Sequence, residues 1–389
     1  MNPDCLAVFT PKAPESTSSG SEIMEALNKV KKAPLIFVPG IMGSRLFKKG
    51  SSEPIWPTIG WWDKGHFKPT SLRALTSIAD KETSQNEPLF PLVYTGLLRY
   101  FENMGYILGQ DFWVFPYDWT QSNRTSGRRL AEFIQDILST HPQWHQVDVV
   151  SHSMGGLVTR AAAKLYSAPI RRAAYIASPH FGSPKVFFIL HPKMKFHVFG
   201  NFFKNVIGDL AWRWYLHRLV DTENINLEKQ IKSLACQLDS VFELLPDRFY
   251  FEHDHVVVVK EASKDDCPVC GLESTYFSGR CKFPSSELQD RAEEAMAFKE
   301  ELGATLPGQE NLVIYSDSEE TVDRIVCPAR VQWRFGRYKD GGQRGDSLVP
   351  VNSATLNNPT AARRVSGTHN SVPNSLETSL LVKEFLDKP

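Results

Sequence analysis

This 389-residue sequence has no surplus of either charge, since 44 basic residues face 44 acidic ones. Nucleic-acid binding draws on a net basic footprint, so nucleic acid is excluded as the main partner and any charge-driven contact has to be local. No apolar run reaches the ~18 residues that cross a bilayer, and no charged-then-apolar leader opens the chain. Instead Thr10 to Ser21 is rich in Pro, Ser and Thr and reads as part of a flexible tail over residues 1–33. Cysteine is scarce: six residues do not make a disulfide scaffold, which points to a reducing, intracellular compartment, cytoplasmic or peripheral to a membrane. Cys267, Cys270 and Cys281, with His253 and His255 upstream, lack the second ligand pair of a structural zinc site, so they read as loop cysteines and neither a metal nor a cofactor is expected. Apolar residues make up 42% and charged residues 23%, which is enough to bury a large core over residues 34–389.

The most informative stretch is Val147-Asp148-Val149-Val150-Ser151-His152-Ser153-Met154-Gly155-Gly156-Leu157. A β-branched run leads into a serine and then at once into an alanine-rich amphipathic segment ending near Tyr166: strand, sharp turn, helix. At such an elbow the serine backbone is strained, and the residues two away, Ser151 and Gly155, must be small for strand and helix to pass each other. The pattern usually has Gly in the first of these places; a hydroxymethyl group is a mild departure. The helix points its free N–H groups at the serine, so Ser153 reads as a nucleophile and the Met154 N–H as a donor to a developing oxyanion.

Further elements frame this elbow. Leu35-Ile36-Phe37-Val38 is a continuous apolar run of the kind covered on both faces of a parallel sheet. It ends in the loop Pro39-Gly40-Ile41-Met42-Gly43-Ser44, where the second oxyanion N–H belongs. Ile41 is the first choice for it, with Met42 also open. Leu89 to Gly105 is near helical spacing and stops at glycine. Asp111 to Trp119 reads as a strand running into a turn, and Leu130, Phe133, Ile134, Ile137 and Leu138 mark an amphipathic helix. Ala173 to Ala177 is another strand, so the order β, α, β, α, β makes the sheet parallel and doubly wound.

Val38-Pro39-Gly40-Ile41-Met42-Gly43-Ser44, Trp56-Pro57, Pro116-Tyr117-Asp118-Trp119, Ser151-His152-Ser153-Met154-Gly155 and the turn Ser178 to Pro184 together resemble the lecithin:cholesterol acyltransferase family, which includes phospholipid:diacylglycerol acyltransferases and related phospholipases. The motifs stand in family order between about residues 34 and 186. The resemblance implies an α/β-hydrolase fold, a covalent acyl-enzyme and a lipid ester as acyl donor. It implies no choice between water and an alcohol, sterol or diacylglycerol, as acceptor. It also places Asp118 and Trp119 near the substrate pocket, although a buried turn tied by the Asp118 carboxylate is at least as good a reading of these two; Met42, in the loop after the first strand, is a further pocket candidate.

In this fold the chain order is Ser, then Asp or Glu, then His. Beyond His255 there is one histidine, His369, which becomes the base. Asp346 fits the acid by position and by resemblance, and Asp317, at the end of another strand, is the runner-up. Acyl transfer from phospholipid to an alcohol is the first reading, phospholipase or lipase hydrolysis the second, and a silent lipid-binding hydrolase fold the third.

Two regions read as coverings. Residues 51–88 form a lid-like loop containing Trp56, Trp61, Trp62 and Phe67, either packed or touching lipid. Residues 185–310 form a cap insertion. Its first part, 185–218, carries six basic residues including Lys185 and Arg218, one acid, Asp209, and many aromatics, a pattern suited to an anionic membrane surface or to an inward-packed cap. Ser286-Glu287-Leu288-Gln289 reads as a capping box ahead of a solvated acidic helix running to Leu302, and Leu376 to Leu386 as the last helix on the sheet.

Overall fold

The computed structural model describes residues 32–47, 54–56, 86–87, 91–190, 235–251, 257–260, 286–322, 325–328, 334–335 and 344–388. From Pro34 onward these belong to one compact unit, Pro34–Pro389. Its centre is a six-stranded sheet: β1 (Leu35–Val38), β2 (Phe112–Val114), β3 (Val147–His152), β4 (Ile170–Ile176), β5 (Glu310–Ser316) and β6 (Arg363–Val365), in the spatial order β6-β5-β4-β3-β1-β2. Every neighbouring pair is parallel.

Apolar residues on both faces of β1 explain its central place. Leu35 and Phe37 point into one apolar cluster, Ile36 and Val38 into the other, and all four are fully buried. Each side chain removed from water in this way contributes about 1.5–3 kcal/mol. On the Leu35/Phe37 side the sheet is covered by α1 (Pro91–Asn103) through Tyr94, Leu97 and Phe101. On the other side lie α2 (Asn123–Thr140) and α3 (Gly155–Leu165). α2 buries Leu130, Ile134 and Ile137, the predicted stripe. A methyl group at Gly127 would lie 2.5 Å from the Ala161 Cβ, so these two helices pack almost backbone to backbone. The first turn of α2 is closed by side chains: the Ser122 Oγ accepts from the Arg124 N–H, and the buried Glu243 carboxylate accepts from the Asn123 N–H at 2.6 Å.

α4 (Lys185–Leu190) follows the turn after β4, and α5 (Ser286–Leu302) packs on α3. Here the structure departs from the sequence expectation. Ser286 is the first helical residue, and the Gln289 amide also donates to Glu293 one turn on, 2.6 Å away. α5 is not a wholly solvated helix. Ala292, Ala295, Phe298 and Leu302 make a buried stripe that the many charged residues of its other faces obscure in sequence. α6 (Leu376–Leu386) closes the sheet beside α1, capped by the Ser375 Oγ on the Thr378 N–H at 3.1 Å. The strand predicted over Asp111 to Trp119 is confined to Phe112–Val114.

The arrangement is the α/β-hydrolase fold. Chain order reverses at β1, which lies between β2 and β3, and such a reversal opens a crevice at the carboxyl ends of the strands. The loops after β1, β3, β5 and β6 reach the site from that end of the sheet.

Candidate active site

β3 ends at His152, and Ser153 follows with φ +53°, a left-handed conformation that a non-glycine residue adopts only under constraint. The constraint is visible. The Ser153 N–H donates to the Ile176 carbonyl at the end of β4 (2.9 Å), while α3 starts two residues later. A methyl group on Gly155 would sit 2.5 Å from both the Val38 and Pro39 carbonyl oxygens, and one on Gly156 would sit 2.2 Å from the Ser178 Oγ. Ser151 fits because its hydroxyl reaches the Ala174 carbonyl at 3.2 Å.

The structure brings Ser153, His369 and Asp346 together from three different loops. Ser153 Oγ lies 2.8 Å from His369 Nε2, and His369 Nδ1 lies 2.7 Å from Asp346 Oδ2. A carboxylate only accepts, so Nδ1 carries the proton and Nε2 is left to accept from the serine. The other carboxylate oxygen, Oδ1, accepts from the Leu348 and Val349 N–H groups at 2.9 and 2.7 Å, and the His369 N–H donates to the Asp346 carbonyl at 2.8 Å. Asp317 is elsewhere: its carboxylate pairs with Arg364 at 2.6 Å on an exposed edge. All three assembled residues are buried, Ser153 being 7% exposed.

Lys185 supports the acid turn and corrects one expectation. The sequence groups it with the basic segment 185–218, suited to a membrane surface or to an inward-packed cap; against the first of these, it is only 5% exposed and its Nζ donates to the Ser347 carbonyl. Burial pushes its amine down to about 8, against the pull of the nearby Asp346 carboxylate. Residues 191–218 lie outside the described residues, as do 57–85 of the tryptophan-rich loop and Cys267, Cys270 and Cys281.

In the loop after β1, Gly40 donates its N–H to the Tyr94 hydroxyl (2.9 Å) and accepts at its carbonyl from the Gly43 N–H (3.0 Å). That commits Gly40 and leaves Ile41 as the next N–H in line, followed by Met42 at φ +63°. Among the described residues neither the Ile41 N–H nor the Met154 N–H is given to a protein acceptor. Asp118 and Trp119 brace this loop and the turn behind it. Trp119 Nε1 donates to the Ser44 carbonyl at 3.1 Å, the Tyr117 hydroxyl donates to the Pro39 carbonyl at 3.0 Å, and Asp118 accepts from the backbone and side chain of Thr120 and from Gln121.

Two polar residues of the site are missed by the sequence reading, Tyr94 and His152. Their hydrogen bonds link the β1 loop to the backbone of His369. His152 stands inside the elbow motif, but nothing in the motif says which way its ring points; Tyr94 sits in an otherwise apolar helix face.

Residues 82–196 match the model of the lecithin:cholesterol acyltransferase family. The matched stretch contains the elbow with Ser153 but neither Asp346 nor His369, so it lends those two no support. No curated protein matches the sequence. Among solved structures, a chain of the Tle4–Tli4 complex is 16% identical, aligned over 90% of this chain and 97% of its own length with a TM-score of 0.54, and shares the fold. The mature lipase BlEst2 of Bacillus licheniformis is 13% identical over 91% of this chain and 92% of its own, with a TM-score of 0.41. Among the described residues no helix is long and apolar enough to cross a membrane.

Proposed function

We propose that the protein is a serine acyltransferase that takes a fatty acyl group from a phospholipid and passes it to an alcohol acceptor, a sterol or diacylglycerol. The observation that carries the serine chemistry is the hydrogen-bonded series Ser153 Oγ, His369 Nε2, His369 Nδ1, Asp346 Oδ2, at 2.8 and 2.7 Å, on a strained elbow. The match of residues 82–196 to the acyltransferase family supports lipid esters as the substrate class.

In this reading Ser153 attacks the ester carbonyl while His369 takes its proton, and Asp346 holds the imidazole tautomer and stabilises the imidazolium. Negative charge on the carbonyl oxygen is met by the N–H groups of Ile41 and Met154. Each such donor is worth about 3–4 kcal/mol of barrier because it is in place before the charge develops. His369 then returns the proton to the leaving lysolipid. An acceptor hydroxyl, activated by the same imidazole, attacks the acyl-Ser153 ester. Met42, at its positive φ beside Ile41, is assigned to the pocket wall. Contact with the lipid surface is assigned to residues 191–218 and the loop 56–67, without Lys185.

The test is purified protein with acyl-labelled phosphatidylcholine vesicles, with and without sterol or diacylglycerol, beside Ser153→Ala. Label reaching the acceptor only in the native protein supports transfer. Release of free fatty acid alone would replace transfer by phospholipase hydrolysis, and loss of neither label nor fluorophosphonate reactivity in Ser153→Ala would remove the serine mechanism.

A further inference from the structure

Tyr94 and His152 are buried polar groups with no step in the chemistry above, and they touch each other. The Tyr94 hydroxyl lies 2.9 Å from the Gly40 N–H and 2.8 Å from His152 Nδ1, and His152 Nε2 lies 3.0 Å from the carbonyl oxygen of His369. Both rings are almost without exposure, at 2% each. The two ends of this chain fix its direction. A backbone N–H can only donate, so Gly40 gives its hydrogen to the tyrosine oxygen; a carbonyl can only accept, so His152 Nε2 must carry a proton. One arrangement then satisfies every atom: Gly40 N–H to Tyr94 Oη, Tyr94 O–H to His152 Nδ1, His152 Nε2–H to the His369 carbonyl.

We infer that Tyr94 and His152 are positioning residues, a one-way hydrogen-bond relay that sets the distance between the oxyanion loop at Gly40-Ile41 and the backbone of the His369 base. The inference rests on the serine mechanism for its catalytic meaning and on geometry alone for its existence. Three features make it a device for alignment. Gly40 presses against the nucleophile, since a methyl group there would be 2.9 Å from the Ser153 Cβ. The His152 and His369 rings pack with centroids 4.8 Å apart, so a displaced His152 moves the base directly. The relay works with His152 neutral, and burial, followed by the neighbouring His369, holds its imidazole well below the ordinary histidine range. Tyr94 likewise keeps its proton, pushed up by burial. The result is that two parts of the site, the loop after β1 and the loop after β6, are joined by one continuous series of hydrogen bonds.

The experiment pairs kinetics on a soluble p-nitrophenyl ester with nitrogen-15 histidine NMR of the full-length protein. Tyr94→Phe should lower kcat by about 10- to 100-fold with KM within about twofold, because it leaves the Gly40 N–H and His152 Nδ1 unpaired and loosens donor and base together. His152→Gln, whose amide nitrogen can still reach the His369 carbonyl, should retain more activity than His152→Leu. In the spectrum, His152 should be the neutral Nε2–H tautomer from pH 5 to pH 9, and Tyr94→Phe should shift the His369 signals as well as those of His152. The spectrum is read in Ser153→Ala too, where the His152 signals should keep the same tautomer although His369 loses its serine partner, so the relay is judged separately from the serine chemistry. A Nδ1–H or charged His152 in that spectrum overturns the relay whatever the activity; a kcat for Tyr94→Phe within about twofold of native, or equal activity of the Gln and Leu variants, overturns its positioning role.

Discussion

At the elbow, Ser153 is held by the main chain. Its N–H is bonded to β4, its φ is forced positive between β3 and α3, and Gly155 allows α3 to approach the end of β1 to within contact of two carbonyl oxygens. At the acid corner, Asp346 and His369 are held by side chains and loop backbone drawn from distant parts of the sequence. The Asp346 carboxylate is oriented by the Leu348 and Val349 N–H groups, its turn is anchored by Lys185 from α4, and His369 is tied to Asp346 and to His152. The elbow is a local motif that needs a sheet around it. The corner exists only when the sheet, α4 and the β6 loop have all arrived. A nucleophile can be set by strain because only its own oxygen must be aimed. An acid and a base must match each other's positions to within a hydrogen bond, which takes cross-bracing.

The sharpest test of this contrast removes the groups to which the proposed chemistry is assigned. Ser153→Ala should lower turnover by about 10⁴- to 10⁶-fold and abolish fluorophosphonate labelling, with little change in Tm; Asp346→Asn should cost about 10⁴-fold by stabilising the wrong tautomer of His369. Retention of more than about a tenth of native turnover by Asp346→Asn would show that the corner is not part of the chemistry.

Next in size is the backbone contact at the elbow. Gly155→Ala places a methyl group 2.5 Å from two carbonyl oxygens that cannot move without shifting β1. Thermal or urea unfolding should show a loss of about 2–4 kcal/mol, and native stability in this variant would mean that the elbow is less tight than described.

A smaller, pH-dependent effect lies outside both regions. Burial raises the Glu243 carboxyl from 4.5 to about 7, despite its hydrogen bonds from Ser122 and the Asn123 N–H at the start of α2. The folded chain therefore keeps a proton that the unfolded chain loses above pH 4.5. This contribution to stability is whole below that pH and is lost as pH rises toward 7. Scanning calorimetry should show a Tm that falls across this window in the native protein and falls less in Glu243→Gln.

The smallest effect is expected at the rejected acid. Asp317→Asn removes an exposed ion pair with Arg364 and should change kcat by less than about twofold and stability by less than about 1 kcal/mol. A large loss of kcat there, with Asp346→Asn active, would exchange the roles of the two aspartates.

Much of the framework was legible without coordinates. The apolar runs of β1 and β3, the stripe of α2 and the last helix, α6, follow from residue pattern, because burial on two faces or on one stripe leaves a direct mark on composition. The site was legible in proportion to how local it is. Ser153 is announced by its small neighbours and by strand and helix on either side. His369 follows from chain order and from the lack of another downstream histidine. Asp346 is preferred to Asp317 by position and resemblance, and the coordinates add that its carboxylate lies within reach of Nδ1 while that of Asp317 pairs with Arg364. The turn tied by the Asp118 carboxylate was one of two readings open in the sequence, whereas the buried stripe of α5 and the burial of Lys185 were not legible, because charged residues carry no label that says whether they face water or a carbonyl.

The sequence by itself determined the parallel sheet, the elbow and the kind of chemistry its serine implies, since periodicity, turn residues and steric need for small side chains act over a few positions. Only the tertiary structure decided the distances at which carboxylate, imidazole and serine meet, that His152 turns inward to Tyr94 and the His369 carbonyl, and that Gly40 rests on Ser153. Those facts depend on groups separated by up to 217 residues meeting at hydrogen-bond distance. A hydrogen bond specifies its partners through direction and distance in space, and neither is written in the order of residues along a chain.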